Sequence, residues 1–412
     1  MKILAIGDTQ DNILTYQKFS NNIKIHLINF PKKQVTKFTE IQNGFEYFDS
    51  LLLSKQVEKI EKIKNNYDLC IVVGWAAARV AYFSGLNYLM YFVGNDITTP
   101  PFEKSPKVEY LNGPIFKRNL IERYFYKKIF NSAIGHMTGS AEYSKYLKKY
   151  DKNGIRLDNV IVDVEIFNEN VPPKNLIKNK FTFFAPQRLG LEKGYDIIWE
   201  ALKFCKSDFE ILQVKWFDER TEEENKIKDK LLKEKPKQIK FIDLIKREEI
   251  ASYYNFADAI LGQMRVGVQG GIEREAALCK KPVICYTDPK KTTIIKNIEI
   301  IPPFLPKTKK PEELAKLIDN IVESETFRKQ LAHDEYEFVN KLSNPKNVIN
   351  EWEKIFLKLK LSHETIERKE KIFFKIFKKF TYEIFEKYYF QKFKNKNIEA
   401  FGENEYYQLT KK

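Results

Sequence analysis

The sequence is short of cysteine, and that scarcity narrows the classes open to it. Its four cysteines, Cys70, Cys205, Cys279 and Cys285, form no C-x-x-C pair and sit in apolar or helical contexts. A disulfide framework or a cysteine metal site is therefore not expected, and a reducing compartment fits best. A secretory leader is not expected either. The opening Met1-Lys2-Ile3-Leu4-Ala5-Ile6-Gly7 is too short an apolar run for one and reads as a strand entering a turn. There is no repeat of solenoid period and no nucleic-acid recognition motif. One segment imitates a membrane span: Cys70 to Gly94 holds a single charge, Arg79. Gly74 and Gly85-Leu86-Asn87 divide that segment into strand, short helix and strand. Continuous apolar letters are what buried parallel strands require.

What the chain has in excess is positive charge. Seventy-one Lys and Arg against fifty-six Asp and Glu leave a formal charge of +15 over 412 residues. Such a balance points to an anionic partner, whether nucleotide phosphates, nucleic acid or an anionic membrane surface, unless it is only a lysine-biased surface. The 43% of hydrophobic residues excludes wholesale disorder. The length suggests two or three domains, each with its own core.

Strands and helices alternate along the first part. Strands are expected at Ile3 to Ile6, Ile23 to Phe30, Leu69 to Val73, Tyr88 to Val93 and Ala133 to Thr138, and helices at Ser50 to Lys64 and Asn119 to Phe130. This rhythm predicts a doubly wound parallel sheet with ligands at the carboxyl ends of its strands. Gly7-Asp8-Thr9, Gly94-Asn95-Asp96 and His136 to Ser140 would lie on that edge. A Pro, Asn and Lys-rich stretch, Asn168 to Lys180, reads as a linker. A second α/β unit follows, with strands at Phe181 to Ala185, Phe209 to Val214, Ile239 to Ile242 and Ala259 to Leu261, and late helices at Pro311 to Glu323, Glu325 to Leu342 and Val348 to Lys358.

Within that second unit, Gly262 to Thr287 reads as loop, buried helix and strand. Gln269-Gly270-Gly271 is a breaker run, Lys281-Pro282 ends the helix, and Val283 to Tyr286 is of strand type. A glycine-rich loop feeding a helix leaves first-turn N–H groups for a phosphate. Upstream, Ala185-Pro186-Gln187-Arg188-Leu189 ends a strand and Glu192-Lys193-Gly194 opens a helix. Arg188 offers a planar fork of donors and Lys193 a mobile point charge, both suited to phosphate oxygens. Glu275, one turn inside the later helix, could accept hydrogen bonds from a sugar diol.

Taken together, Arg188 and Lys193 in R-L-x-x-x-K-G, with Gly270 and Glu275 in G-x-x-x-x-E-A-x-x-x-x-K-P-V-I, resemble nucleotide-sugar glycosyltransferases of the GT-B fold, glycosyltransferase family 4 in particular. Val162 to Phe167, Gly94 to Asp96, Ile250 to Asp258 and Pro311 to Ala315 resemble lesser elements of that family. The resemblance runs from about residue 1 to 358. It implies two Rossmann-like domains facing a cleft: residues 1–170 on the acceptor side, residues 171–345 holding the nucleotide sugar, and a helix at 346–360 crossing back. Arg188 and Lys193 would bind the donor diphosphate, Glu275 the ribose hydroxyls, and Gly7, Gly270 and Gly271 would let the donor approach the backbone. Asp96 would face the acceptor or the transferred sugar, with Asp8, Asn95 and His136 as further acceptor-side candidates. No D-x-D element occurs, and the resemblance implies a metal-independent, retaining transfer with no cofactor, its substrate a UDP- or GDP-linked sugar.

The chain departs from the family pattern in three places. Gly267 stands where many members carry a glutamate that contacts the sugar, Lys280 where a small Gly usually precedes Lys-Pro, and Val93 where the H-G-x-D loop has histidine. The first and last leave a catalytically silent, donor-binding or complex-organising protein as the alternative to a transferase in polysaccharide or glycoconjugate synthesis. Residues 361–412 lie outside the resemblance. There Phe373, Phe377, Phe380, Ile384 and Tyr388 recur at helical spacing among Lys371, Lys375, Lys378 and Lys379, which suits docking on an anionic membrane as well as packing on the protein itself. The expected setting is cytoplasmic, with this tail on the inner face of the cell membrane. Nucleic acid is not an expected partner.

Overall fold

The structure is a computed structural model that describes residues 1–9, 11–33, 46–104, 118–158, 160–217, 222–296, 298–370 and 372–411. Its first part is built on seven strands: β1 (Lys2–Ile6), β2 (Lys24–Asn29), β3 (Glu46–Tyr47), β4 (Leu69–Val73), β5 (Tyr88–Phe92), β6 (Gly135–Thr138) and β7 (Ile155–Arg156). All pair in parallel, in the order β3-β2-β1-β4-β5-β6-β7. The central strands are buried throughout, which is why they read as unbroken apolar runs. Cys70 to Gly94 resolves into β4, the Gly74–Phe83 helix and β5. Among the described residues no helix is long and apolar enough to cross a membrane.

The second sheet has five strands, β8 (Phe181–Ala185), β9 (Phe209–Val214), β10 (Ile239–Ile242), β11 (Ala259–Leu261) and β12 (Val283–Ile284), parallel in the order β10-β9-β8-β11-β12. The strand-type run at Val283 to Tyr286 thus shortens to two residues, because Tyr286 and Thr287 turn away to hydrogen-bond loop carbonyls of Gln263 and Pro306. A small hairpin, β13 (Thr293–Ile295) and β14 (Ile298–Ile300), follows. Both sheets are covered by helices on their two faces, as a doubly wound α/β fold demands.

The Pro345–Ser362 helix leaves the second sheet and packs on the first. Trp352 and Phe356 are fully buried against Tyr16, with ring centroids 5.5 and 5.4 Å away, and Trp352 meets Tyr91 at 5.2 Å. Glu353 at its edge accepts hydrogen bonds from Ser20 (3.2 Å) and Asn22 (3.1 Å). A 30-residue helix, Ile372–Phe401, then lies along the Leu53–Ile63 helix, where Ser54 donates to Glu386 through its backbone N–H (2.7 Å).

Candidate active site

A cleft of about 440 Å³ lies between the two sheets. Its walls come from segments that follow strand ends: Val93 and Thr98 after β5, Gly139 to Tyr143 after β6, Lys193 after β8, Gln263 to Gly271 after β11, and Tyr286 and Asp288 after β12. This is the carboxyl-edge placement that parallel sheets give their ligands. Lys291 crosses the cleft to Glu142 (2.8 Å) and also donates to Val266 O (2.7 Å). Arg156 donates to Thr292 O (2.7 Å), so the two halves are tied beside the cleft as well as behind it.

Lys193 ends a 3-10 turn, Leu191–Lys193, that stops at Gly194 with φ of +76°. A Cβ on Gly194 would lie 2.9 Å from the Met264 carbonyl carbon, so only glycine fits where this turn meets the loop after β11. Met264 N donates to Lys193 O (2.9 Å), fixing the lysine's backbone against that loop. Its ammonium lines the cleft and has no hydrogen-bond or ion-pair partner among the described residues.

Facing it is the start of the Gly271–Leu278 helix. Glu273 accepts from Gly270 N (2.8 Å) and Gln263 N (3.0 Å), pinning the helix start to the loop that holds Lys193. Gly270 and Gly271 both line the cleft. Lys193, Gly270 and Gly271 are therefore brought together.

Other expected residues are placed elsewhere. Glu275 is buried one turn behind Gly271, where both its oxygens meet the Arg247 guanidinium (2.6 and 2.8 Å) and Oε2 also accepts from Tyr254 (3.1 Å). Arg247 reaches on to Asp11 of the first domain (3.2 Å). Although burial opposes its charge, the Glu275 and Asp11 carboxylates hold Arg247 above its ordinary pKa. The void beside this triad is only about 10 Å³. Arg188 lies over the Trp216 ring, 5.2 Å from its centroid, and 3.5 Å from Glu192, outside the cleft lining.

The first-domain candidates mostly hold their own loops. Asp8 accepts from Ile13 N (3.2 Å) and Leu14 N (2.9 Å) and so anchors the Asn12–Phe19 helix. Gly7, with φ of +76°, is required by packing, since a Cβ there would sit 2.8 Å from Val73 O. His136 is buried in β6, stacked on Phe130 at 3.9 Å, with Asp151 (2.6 Å) and Phe130 O (3.1 Å) on its two ring nitrogens. Burial pushes its pKa down. A lone histidine is more often structural than catalytic, and His136 is buried in the core. Asn95 starts the Asn95–Thr98 helix, but its side chain lies outside the described residues.

Asp96 caps the turn after β5, accepting from Gly94 N (3.0 Å) and Val93 N (3.4 Å). Burial raises its carboxyl from 3.8 to about 7, against those backbone hydrogen bonds. A raised acid favours the neutral form in the fold, so its stabilising contribution is full below the ordinary value and is lost as pH climbs towards about 7. Asp96→Asn should remove that loss. The stability of wild type relative to Asp96→Asn, read from denaturant midpoints, is expected to fall between pH 4 and pH 7; a difference independent of pH would contradict the burial argument.

One cleft residue, Asp288, escaped the sequence patterns, and the structure gives the reason for Gly267. Gly267 has φ of +78°, and a Cβ there would meet Asp288 Cβ at 2.8 Å and Tyr286 Cε1 at 3.0 Å, so no larger residue fits. Asp288 occupies that flank of the cleft. Its N–H donates to Gly267 O (3.1 Å) and its Oδ1 accepts from Lys290 N (3.0 Å), while Oδ2 has no partner among the described residues. The other cleft-lining carboxylates of the second domain, Glu192 and Glu273, are engaged. Nothing local in Tyr286-Thr287-Asp288 announces such a role. Among the described residues no group of three or more His, Cys, Asp or Glu could hold a metal ion.

Residues 167–338 match the family model of glycosyl transferases group 1. The match falls on the second domain, and the chain has the GT-B fold of two Rossmann-like domains around a cleft. Similar solved structures include Anabaena HepE in complex with UDP and glucose, at 15% identity and a TM-score of 0.63, covering 87% of this chain and 99% of that one. Sucrose-phosphate synthase from Thermosynechococcus elongatus matches at 16% identity and TM-score 0.62, over 88% of this chain and 100% of its own. An alpha-glucosyltransferase in complex with UDP-glucose and DNA matches at 12% and 0.61, over 87% and 99%. No curated protein matches the chain significantly. The class that fold and family define is the nucleotide-sugar-dependent glycosyltransferase.

Proposed function

We propose that the protein moves a sugar from a nucleoside-diphosphate sugar to a glycan or lipid-linked acceptor, retaining the anomeric configuration without a metal. The observation that carries this reading is the Lys193 ammonium, unpartnered in the cleft and facing the Gly270–Gly271 helix start. A diphosphate set between them would meet a mobile cation on one side and backbone N–H groups with a favourable helix dipole on the other. Negative charge grows on the leaving diphosphate as the glycosidic bond breaks, and these groups stabilise it where it develops. Arg188 precedes Lys193 in the same segment after β8 and would add its guanidinium by leaving the Trp216 ring. Glu275 is assigned the positioning of Arg247, because the void beside it is too small for a ribose. Asp96 is assigned to the first-domain wall from which the acceptor attacks, by capping the turn between Val93 and Thr98 that lines the cleft.

Asp288 is assigned to the transferred sugar, since its free Oδ2 can accept from a sugar hydroxyl. Asp288→Asn should weaken binding of the sugar nucleotide by about tenfold, the effect of one charge-assisted hydrogen bond, and leave the free nucleoside diphosphate unchanged. Equal loss for both ligands in calorimetry would remove the assignment.

The setting proposed is the cytoplasmic face of a membrane, in cell-surface polysaccharide or glycoconjugate synthesis, with residues 361–412 as the contact. Its support is the basic-aromatic composition of that tail. The decisive experiment is a screen of UDP- and GDP-sugars for a rise in melting temperature, followed by donor turnover with the one that binds. Binding without turnover against a library of acceptors would favour a silent binding protein, and no stabilisation by any sugar nucleotide would sink the reading.

A further inference from the structure

The Ile372–Phe401 helix turns one side to the protein and another to solvent. On the inner side Thr381 is buried, Glu386 receives the Ser54 backbone, and Tyr382 packs edge-on against Phe83 at 5.6 Å. On the outer side Phe373, Phe377, Phe380, Ile384 and Tyr388 follow one another at steps of three and four residues, all exposed, Phe373 at 75% and Phe380 at 62%. Apolar residues turned outward over about four consecutive helical turns are costly to leave in water. Lys379 and Lys387, both exposed and free of ion pairs among the described residues, border or interrupt this stripe.

The stripe does not end with the tail. Asn119 Nδ2 donates to Tyr388 Oη (3.1 Å), and Lys392 reaches Glu122 (3.2 Å), so the tail helix runs against the start of the Leu120–Asn131 helix. The first turn there is also exposed: Leu120 is 77% exposed, Ile121 68% and Tyr124 59%. Lys128 sits 5.4 Å from the Tyr124 ring. This helix lies between β5 and β6, and in a parallel sheet its N-terminal turn stands at the carboxyl edge, where the cleft opens.

We infer that the tail and the first turn of the Leu120–Asn131 helix form one docking face for an anionic lipid bilayer. The inference rests on the membrane reading of the tail and extends it to the rim of the first domain. Apolar side chains flanked by lysines are the chemistry of an interfacial membrane contact, and each lysine adds attraction only where the lipid is negative. Placing part of this face at the cleft mouth sets an acceptor with a lipid anchor beside the first-domain wall. The acceptor then need not leave the bilayer to reach the donor.

The test uses the full chain and vesicles of phosphatidylcholine, with or without phosphatidylglycerol. Binding is expected on the phosphatidylglycerol vesicles only, and should weaken with salt. Leu120→Glu/Ile121→Glu should lower that binding about tenfold, as should Phe377→Glu/Phe380→Glu. Melting temperature with and without UDP is the fold check for each variant and is expected to stay near wild type. If the tail pair loses binding but the Leu120/Ile121 pair does not, the extension to the first domain fails while the tail reading survives. No binding by wild type would end both. Should gel filtration instead show a dimer that the same substitutions dissolve, the face belongs to a second copy and the bilayer inference is overturned.

Discussion

Lys193→Ala is expected to lower kcat/KM for the donor by roughly a hundredfold, a loss of about 2.7 kcal/mol of transition-state stabilisation. The magnitude follows from where the charge sits. Lys193 is held by its backbone to the loop after β11, through Met264 N at 2.9 Å, and its ammonium meets no carboxylate. No ion pair needs to break before it serves the leaving diphosphate, so its removal is felt almost wholly at the reacting charge. Arg188→Ala should cost less, about tenfold, since Arg188 starts on Trp216 and near Glu192 and must give up both. Lys193→Arg should recover part of the lost rate, as the charge returns with a different donor geometry. Donor consumption under single-turnover conditions checks all three. Wild-type rates in Lys193→Ala would remove the diphosphate role, and with it the reading of the cleft.

What the chain disclosed in advance was set by how local the physics is. β4 and β5 were visible because strands buried on both faces have to be apolar at every position, and Leu69 to Val73 and Tyr88 to Phe92 are. The glycine-led helix was visible because Gln269-Gly270-Gly271 and Lys281-Pro282 mark its ends chemically. β3 and β7 were not, as two-residue edge strands carry no period to detect. At the site the same division holds. Lys193 and Gly270 belong to short motifs whose spacing brings them to one cleft. Arg247 pairs with Glu275 across 28 positions and with Asp11 across 236, distances over which sequence alone gives no register. Asp288 reached the cleft because Gly267 made room for it, a relation between two loops that neither loop states. His136 shows the converse: its place on a carboxyl edge suggested chemistry, and its ring stacks on Phe130 and Phe92.

Arg247→Met is expected to cost about 3–5 kcal/mol of stability, measured by the shift in denaturant midpoint. The guanidinium is buried with Glu275 on two hydrogen bonds and Asp11 on a third, so its loss leaves the buried Glu275 carboxylate without its counter-charge and takes one partner from Asp11. Glu275 would keep Tyr254, and Asp11 would lose the link that joins the first domain to the second. Most of the cost is therefore the penalty of unpaired charge rather than the worth of the pair. The consequence is testable in sign: removing Glu275 as well, in Arg247→Met/Glu275→Met, should be more stable than Arg247→Met alone. Additive losses would mean instead that the triad holds the domains together by attraction in its own right. Under the unpaired-charge account Lys193 keeps its place in both variants, since Gly194 and Met264 set it and neither touches Arg247. Free nucleoside diphosphate should then bind the double variant nearly as well as wild type, which separates the scaffold of this cleft from the cation that works in it.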